Sequence, residues 1–402
     1  MFRTIRKAEY YELMVLFFIQ WMAMSAWFVP LGPVLDAHGL GAIKPFAFAA
    51  SAVAAFVSPL IFGAMADRHA SPVKVLRGLT AATAAAMLLA TWSIRQHWPP
   101  GVVLVLIQLL MLCSAPTASI CTSIVFARLK NSQREFGPIR ATGTFGWMCG
   151  CWLVSALNAD TSVLAGYAGA TIWLALAVFT FFLPNVPPPK FAGRPTWRQR
   201  FGWDALVLLK NPDHRVVFIT AALFSIPLAA FFPITPLHLQ QLGFQHTSAW
   251  MSLGQISEII AMFTLAGLFA RLRLKWIFAA GLGFGLLRFS LCAMNGKMWL
   301  LLGVGLHGFS YAFYFITAQI YLDERVDPAW RTRAQALFSL MTTGVGNLIG
   351  YLGTGWWFAV CAKSGGTQWP LFWGGLVATV AAVMVYFLAA YRGKVRNRQA
   401  HD

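Results

Sequence analysis

Residues 10–33 read YYELMVLFFIQWMAMSAWFVPLGP, a stretch of apolar chain broken by one charged residue, Glu12. A helix needs about 20 mostly apolar residues to cross a bilayer. This stretch therefore predicts a membrane-spanning helix. The dozen residues it grows from, MFRTIRKAEYYE, are basic and contain no short core with a small-residue cleavage site. The expectation is a retained first helix rather than a cleaved signal.

The same reading applied along the chain gives eleven further apolar segments. With the first, they lie at about 10–33, 42–64, 75–94, 100–127, 138–158, 162–184, 214–238, 247–270, 275–294, 298–322, 333–360 and 369–391. The fold class expected is an all-α membrane protein of twelve transmembrane helices. Composition agrees: 58% of residues are hydrophobic, 11% are charged, and mean hydropathy is +0.64. A soluble domain carries about 25% charged residues.

A net charge of +18 on a soluble chain would suggest nucleic acid as partner. Its distribution argues against that. With both termini cytoplasmic, all but five of the 31 Lys and Arg fall at cytoplasmic ends or loops. Lys44, Arg95, Lys297 and Lys363 fall outside, and Arg288 lies within a helix. This is the asymmetry that orients membrane proteins. It predicts a multi-pass membrane protein with both termini cytoplasmic, whose basic faces meet anionic lipid headgroups of the bilayer. The six cysteines are scattered through or beside apolar segments and read as small buried hydrophobes, not as a disulfide framework.

The longest polar interruption spans about 185–212 and includes PNVPPPKFAGRPTWRQRFGWD. It is Pro-rich, basic and without apolar periodicity. It divides the chain into a six-helix bundle at 1–184, a cytoplasmic linker at 185–212 and a second bundle at 213–402. A faint repeat supports the division: GAMADRHASPVK from Gly63 and GLFARLRLKWIF from Gly267 both place a small-residue step and basic residues at a cytoplasmic turn.

Polar groups inside the membrane are costly, so each is a functional candidate. Glu258 is the one acid of thirteen near the middle of an apolar segment. A carboxylate so placed is a candidate for proton exchange, against the blander reading of a permanent pair with Arg or His. Gln255 precedes it by three residues and shares its helix face. Arg140, Thr144 and Trp147 line one face of the fifth segment, although Arg140 is near enough to the cytoplasmic end to be an anchor instead. Gly143 and Gly146 on that segment predict close helix packing. His307 and Tyr311 fall one turn apart on the tenth, with Gln319 following, and His307 could titrate or donate to a substrate. Gln20 and Trp27 are seven apart on the first and either face a cavity or pack. Asn347 reads as a contact between helices, and Arg288 either neutralises an acid or reaches the interface. Asp67 and Arg68 form a polar turn suited to gating contacts. No Walker loop, zinc-protease motif, nucleophile–base pair or metal cluster is present, so neither enzyme activity nor a cofactor is expected.

The GAMADR turn resembles the loop motif of the major facilitator superfamily. More narrowly, FIQWMAMSAWFVPLG, GPIRATGTFGW, SLGQISEII, LHGFSYAFYFITAQIYLDERV and RTRAQALFSLMTTGVGNLIG resemble, in order, segments of the bacterial nucleoside:proton symporter family. The resemblance implies the major facilitator fold and proton-coupled nucleoside import by alternating access, usually as a monomer. It also implies that Arg140, Thr144, Trp147, Gln255 and Glu258 contribute to the nucleoside pocket. A ribose diol suits a paired donor and acceptor, and a base suits an aromatic face. Three positions depart from the family pattern. Ala312 stands where H-G-x-x-Y-D has its acid, Pro233 and Pro236 replace polar residues of the seventh helix, and Trp147 replaces a smaller aromatic. Proton coupling would then fall on Glu258, with His307. Rival expectations are an uncoupled facilitator, a sugar or aromatic-acid symporter, a multidrug exporter, and a non-transporting sensor.

Overall fold

The computed structural model describes residues 7–67, 71–129, 132–184, 196, 203–327, 330–363 and 366–393. Twelve helical passes follow one another along it. In the first half they are α1 (Lys7–Phe28, continued by Leu31–Ala37), α2 (Lys44–Asp67), α3 (Pro72–Arg95), α4 (Pro100–Arg128), α5 (Ser132–Ala156) and α6 (Leu164–Phe179). In the second half, α7 runs over Pro212–Leu228 and Phe231–Gln241, and α8 over Thr247–Met251 and Leu253–Arg271. They are followed by α9 (Leu274–Ala293), α10 (Lys297–Arg325 in four sections), α11 (Arg331–Ser339 through Asn347–Cys361) and α12 (Trp369–Ala390). Among the described residues, eight helices are both long and apolar enough to span a membrane on those grounds alone. Those that miss include α5 and α8, which carry the polar residues singled out above.

Two local departures from plain α-helix stand out. The helices α10 and α11 are interrupted by π segments at Ala312–Ile316 and Leu340–Gly346. And the interruption between the halves, expected to be irregular, holds a 3₁₀ helix at Trp203–Lys210 whose Asp204 accepts an ion pair from Arg333 of α11 at 3.0 Å. Residues 185–195 and 197–202 of that interruption lie outside the described residues, as does Arg68; Asp67 is the last residue of α2.

Burial gathers the apolar side chains into two large cores. One draws almost wholly on residues 13–183 and the other on residues 205–391. Within each, glycine lets the first and fifth helices approach. A Cβ at Gly146 of α5 would run into the backbone of Phe18 on α1, as the sequence led one to expect. In the second half, a Cβ at Gly350 of α11 would meet the backbone of Ile226 on α7. A close glycine contact between the first and fifth helices thus occurs in each half. All six cysteines are unbridged.

With an even number of passes, both termini share one end of the bundle. The hydrogen bonds that cross between halves lie at the opposite end. Asp160, between α5 and α6, accepts the backbone N–H of Ser248 at 2.7 Å and the hydroxyl of Ser155 at 3.1 Å. Ser155 accepts the N–H of Ala249 at 3.0 Å, and Trp152 donates its indole N–H to Ser252 at 3.0 Å. His246, in the left-handed region at φ 56°, sits 4.0 Å from Asp160.

Candidate functional site

The breaks in the helices face the middle of the bundle. There a cavity of about 200 Å³ is lined by α7, α10 and α11. His307, Tyr311 and Phe232 form its deep end, Tyr351, Asn347, Thr342 and Thr343 one wall, and Gln319 and Gln335 the end nearer the termini. Beyond its deep end an aromatic cluster joins the halves. Phe232 of α7 lies 5.3 Å from Phe28 of α1 and 5.7 Å from Trp147 of α5, and Phe28 lies 5.2 Å from Phe48 of α2. Phe48 in turn lies 5.6 Å from Tyr351 of α11. Edge-on and tilted aromatic pairs of this kind add about 0.5–1.5 kcal/mol beyond their buried area. This closure sits on the same side as the bonds between halves.

The polar residues read from the sequence divide into three groups. The first gathers around Glu258. Its side chain is 8% exposed, and among the described residues it makes no hydrogen bond or ion pair. Arg140 and Tyr311 are close enough to interact with it electrostatically. Arg140 packs its guanidinium 5.0 Å from the Trp21 ring and donates to Thr144 at 3.4 Å. It is turned inward, not held at the surface. Gln255 Oε1 and Trp147 Nε1 are sealed from solvent with no partner. Buried polar atoms without partners are costly and few in native proteins, and one of these two, on Gln255, lies one helical turn from Glu258.

The second group is His307 and its neighbour Arg288. The imidazole stacks on Phe231 at 3.9 Å with 6° between planes. Its Nδ1 lies 2.5 Å from Arg288 Nη1. Arg288 thus neither neutralises an acid nor reaches the interface, the two alternatives its sequence position suggested.

The third group turns away from the cavity. Gln20 is fully buried, donating to Thr117 Oγ1 at 2.8 Å while its Oε1 accepts from Cys121 at 3.6 Å, so it ties α1 to α4. Trp27 packs against Gly166 and Gly169 of α6. Of the two readings for this stripe, packing holds in this conformation. Asn347, read as a contact between helices, lines the cavity instead. Ala312 is fully buried and packs in an apolar cluster with Ala261, Leu265 and Ile277.

The arrangement is a bundle closed at the end away from the termini, a central unpaired acid with Gln255 and Arg140 near it, and a cavity leading toward the termini. That is the anatomy of a carrier for a small polar solute. The family described as the nucleoside H+ symporter matches residues 8–396. The chain belongs to that family. Its relatives include YegT of Escherichia coli K12, named as a candidate nucleoside transporter, 34% identical over 359 residues, 85% of this chain and 82% of the relative. The nucleoside permease NupG of the same organism is 26% identical over 95% of this chain and 96% of its own. A xanthosine permease from that organism is 25% identical over 90% and 91%. The crystal structure of the nucleoside transporter NupG superposes with a TM-score of 0.84 at 25% identity, covering 96% of this chain and all of that one. A peptide transporter of the POT family matches in fold, with a TM-score of 0.71 at 14% identity over 96% of this chain and 98% of that one. The fold is that of the major facilitator transporters.

Within this symporter-family fold, sequence reasoning found the acid and its α5 partners. It missed the aromatic closure through Phe28, Phe48, Phe232 and Tyr351, and the bonds at Asp160. None of these carries a local signal. An Asp in a loop and a Phe in an apolar run are ordinary until the halves are brought together.

Proposed function

We propose that the chain is a proton-linked importer of nucleosides that works by alternating access. The observation that carries this reading is Glu258: an unpaired carboxylate in mid-membrane, flanked by Arg140 and Tyr311, in a chain of the nucleoside H+ symporter family. An ionised carboxylate is costly in that setting unless paired, and protonation relieves the cost. Glu258 would take its proton from outside and give it up inside, with Arg140 close enough to favour the charged form once the proton has left.

Nucleoside would bind between α5 and α8, where Thr144, Trp147 and Gln255 offer a hydroxyl, an aromatic face and an amide, and against His307 and Tyr311 at the head of the cavity. Residues 1–184 and 213–402 would be the two moving bundles and 185–212 the linker. The turn carrying Asp67 and Arg68 would contribute to closure at the inner end. In the bacterial inner membrane, with both termini cytoplasmic and the basic faces against lipid, the conformation described here is closed to the outside. The protein would act as a monomer.

A second reading, an uncoupled facilitator, is favoured by Ala312, which puts an apolar contact where the family pattern has an acid. Uptake of labelled uridine, adenosine and sugars into proteoliposomes under an imposed pH gradient separates these. Accumulation of nucleoside that collapses with the gradient is expected. Flux indifferent to the gradient would establish the facilitator, and absence of nucleoside uptake or binding would remove the substrate assignment.

A further inference from the structure

Arg288 of α9 is almost completely enclosed, with 1% of its surface exposed. Its guanidinium lies 4.7 Å from the ring centroids of both Phe231 and Phe289. Among the described residues no carboxylate pairs with it, and its Nε has no acceptor. A buried cation without a counter-ion is costly. The polar side chain it does reach is His307.

The chemistry of that bond is one-sided. A guanidinium has five N–H donors and no acceptor. Nδ1 of His307 must therefore present its lone pair at 2.5 Å, and the ring's single proton must sit on Nε2. A proton on Nδ1 would set N–H against N–H. The plane of the ring is fixed by its stack on Phe231, and its Cδ2 edge is backed by Gly254 of α8, where a Cβ would come within 3.3 Å. Among the described residues Nε2 makes no hydrogen bond, nor is it among the atoms sealed from solvent, and His307 lines the cavity. What remains is a rigid N–H donor facing the space a solute would occupy.

The groups around this ring make the contrast with Glu258 plain. From α9 come Arg288 and, beside it, Cys292. From α8 comes Glu258, one turn beyond Gly254. Its own helix supplies Tyr311, 6.2 Å away between ring centroids. From α7 come Phe231 and Phe232, which do not titrate. The group in direct contact with the imidazole nitrogen is a cation.

We infer that Arg288 is a positioning residue that holds His307 as a fixed Nε2–H donor, so that His307 reads a carbonyl oxygen of the nucleobase and leaves the transported proton to Glu258. The substrate class rests on the nucleoside reading above; the tautomer does not.

Two measurements test it on the full-length protein in nanodiscs. The first is ¹⁵N spectroscopy of histidine-labelled protein, with the His307 signal identified by its loss in His307→Gln. A neutral ring protonated on Nε2 from pH 5.5 to pH 8 is expected. A ring protonated on Nδ1, or one that titrates across that range, would overturn the proposal. The second is calorimetric binding of uridine over the same range. Arg288→Met frees Nδ1, so its affinity should gain a pH-dependent limb in the histidine range, and the limb should vanish in Arg288→Met/His307→Gln. His307→Gln keeps a donor and should bind within a few-fold of the parent, whereas His307→Phe should lose about tenfold, the worth of one hydrogen bond. A folded Arg288→Met protein with the parent's pH profile would refute the role of Arg288. Should Arg288→Met fail to fold, the spectroscopy on the unaltered protein still decides. No uridine binding by the unaltered protein would remove the nucleoside reading, and the spectroscopy would still decide whether Arg288 sets the tautomer.

Discussion

Replacing Asp160 with Ala should open the end of the transporter away from the termini, the outer end in the orientation proposed above. In the closed conformation Asp160 accepts the N–H of Ser248 across the gap between halves at 2.7 Å, and Ser248 is buried. Hydrogen bonds to a charged group contribute about 1.5–3 kcal/mol net. Without the carboxylate, the Ser248 N–H is left unpaired in the closed state but is free to meet water in the open one. The full loss therefore falls on the closed state. At about 1.4 kcal/mol per factor of ten, the equilibrium should move toward the outward-open state by roughly 10- to 150-fold. Asp160→Asn keeps an acceptor and should move it much less. Ser155 also loses its acceptor in the alanine variant while still receiving the N–H of Ala249, so part of the latch survives. Spin labels at the exposed positions Gln96 and Lys297, in a background without the native cysteines, would report the separation of the two outer ends. A growing long-distance population in Asp160→Ala, much smaller in Asp160→Asn, is expected. An unchanged distance distribution in a folded, substrate-binding variant would show that these bonds do not hold the outer end shut.

Three other substitutions probe separate parts of the structure. Glu258→Gln should abolish gradient-driven accumulation in proteoliposomes while leaving nucleoside exchange partly intact; full accumulation by this variant would remove Glu258 as the coupling group. Gly308→Ala should lower thermal stability by about 1–3 kcal/mol, because the new Cβ would collide with the backbone of Glu258 on the neighbouring helix. Gly267→Ala, where a Cβ meets open space, is its control, and equal melting temperatures for the two would contradict the packing account. Arg128→Met removes partners from Glu12 at 3.1 Å and Glu9 at 3.8 Å, both acids partly exposed, and should cost no more than about 1 kcal/mol; a loss of several would show that α1 and α4 depend on this pair.

How much of this was legible beforehand follows from what each feature depends on. The twelve passes were, because bilayer thickness imposes a length on every apolar run. Glu258 was legible for the same reason: one acid amid apolar neighbours stands out in a string. Arg140 was visible but ambiguous between anchor and cavity, and only the packing on Trp21 turns it inward. Gln20 and Trp27 share a helix stripe, yet one binds α4 and the other packs on α6, since a stripe says which residues lie together and not what faces them. Arg288 stood out as a buried charge without revealing that its partner, nineteen positions away, is a histidine. The π segments left no mark at all. A shift from i+4 to i+5 bonding changes no composition, and Leu340–Gly346 reads as ordinary apolar helix.

Those π segments give the two halves different mechanical characters. Among the described residues they occur on α10 and α11, both in the second half, and both border the cavity. A π segment stores an extra residue in one turn. Passing that residue along by one position re-registers the hydrogen bonds locally and rotates everything beyond it, without breaking the helix. The second half thus has a means of changing shape within itself, reorienting Gln319 and Gln335 relative to His307. Among the described residues it is the second half that carries such adjustable joints, and both lie where a solute would pass.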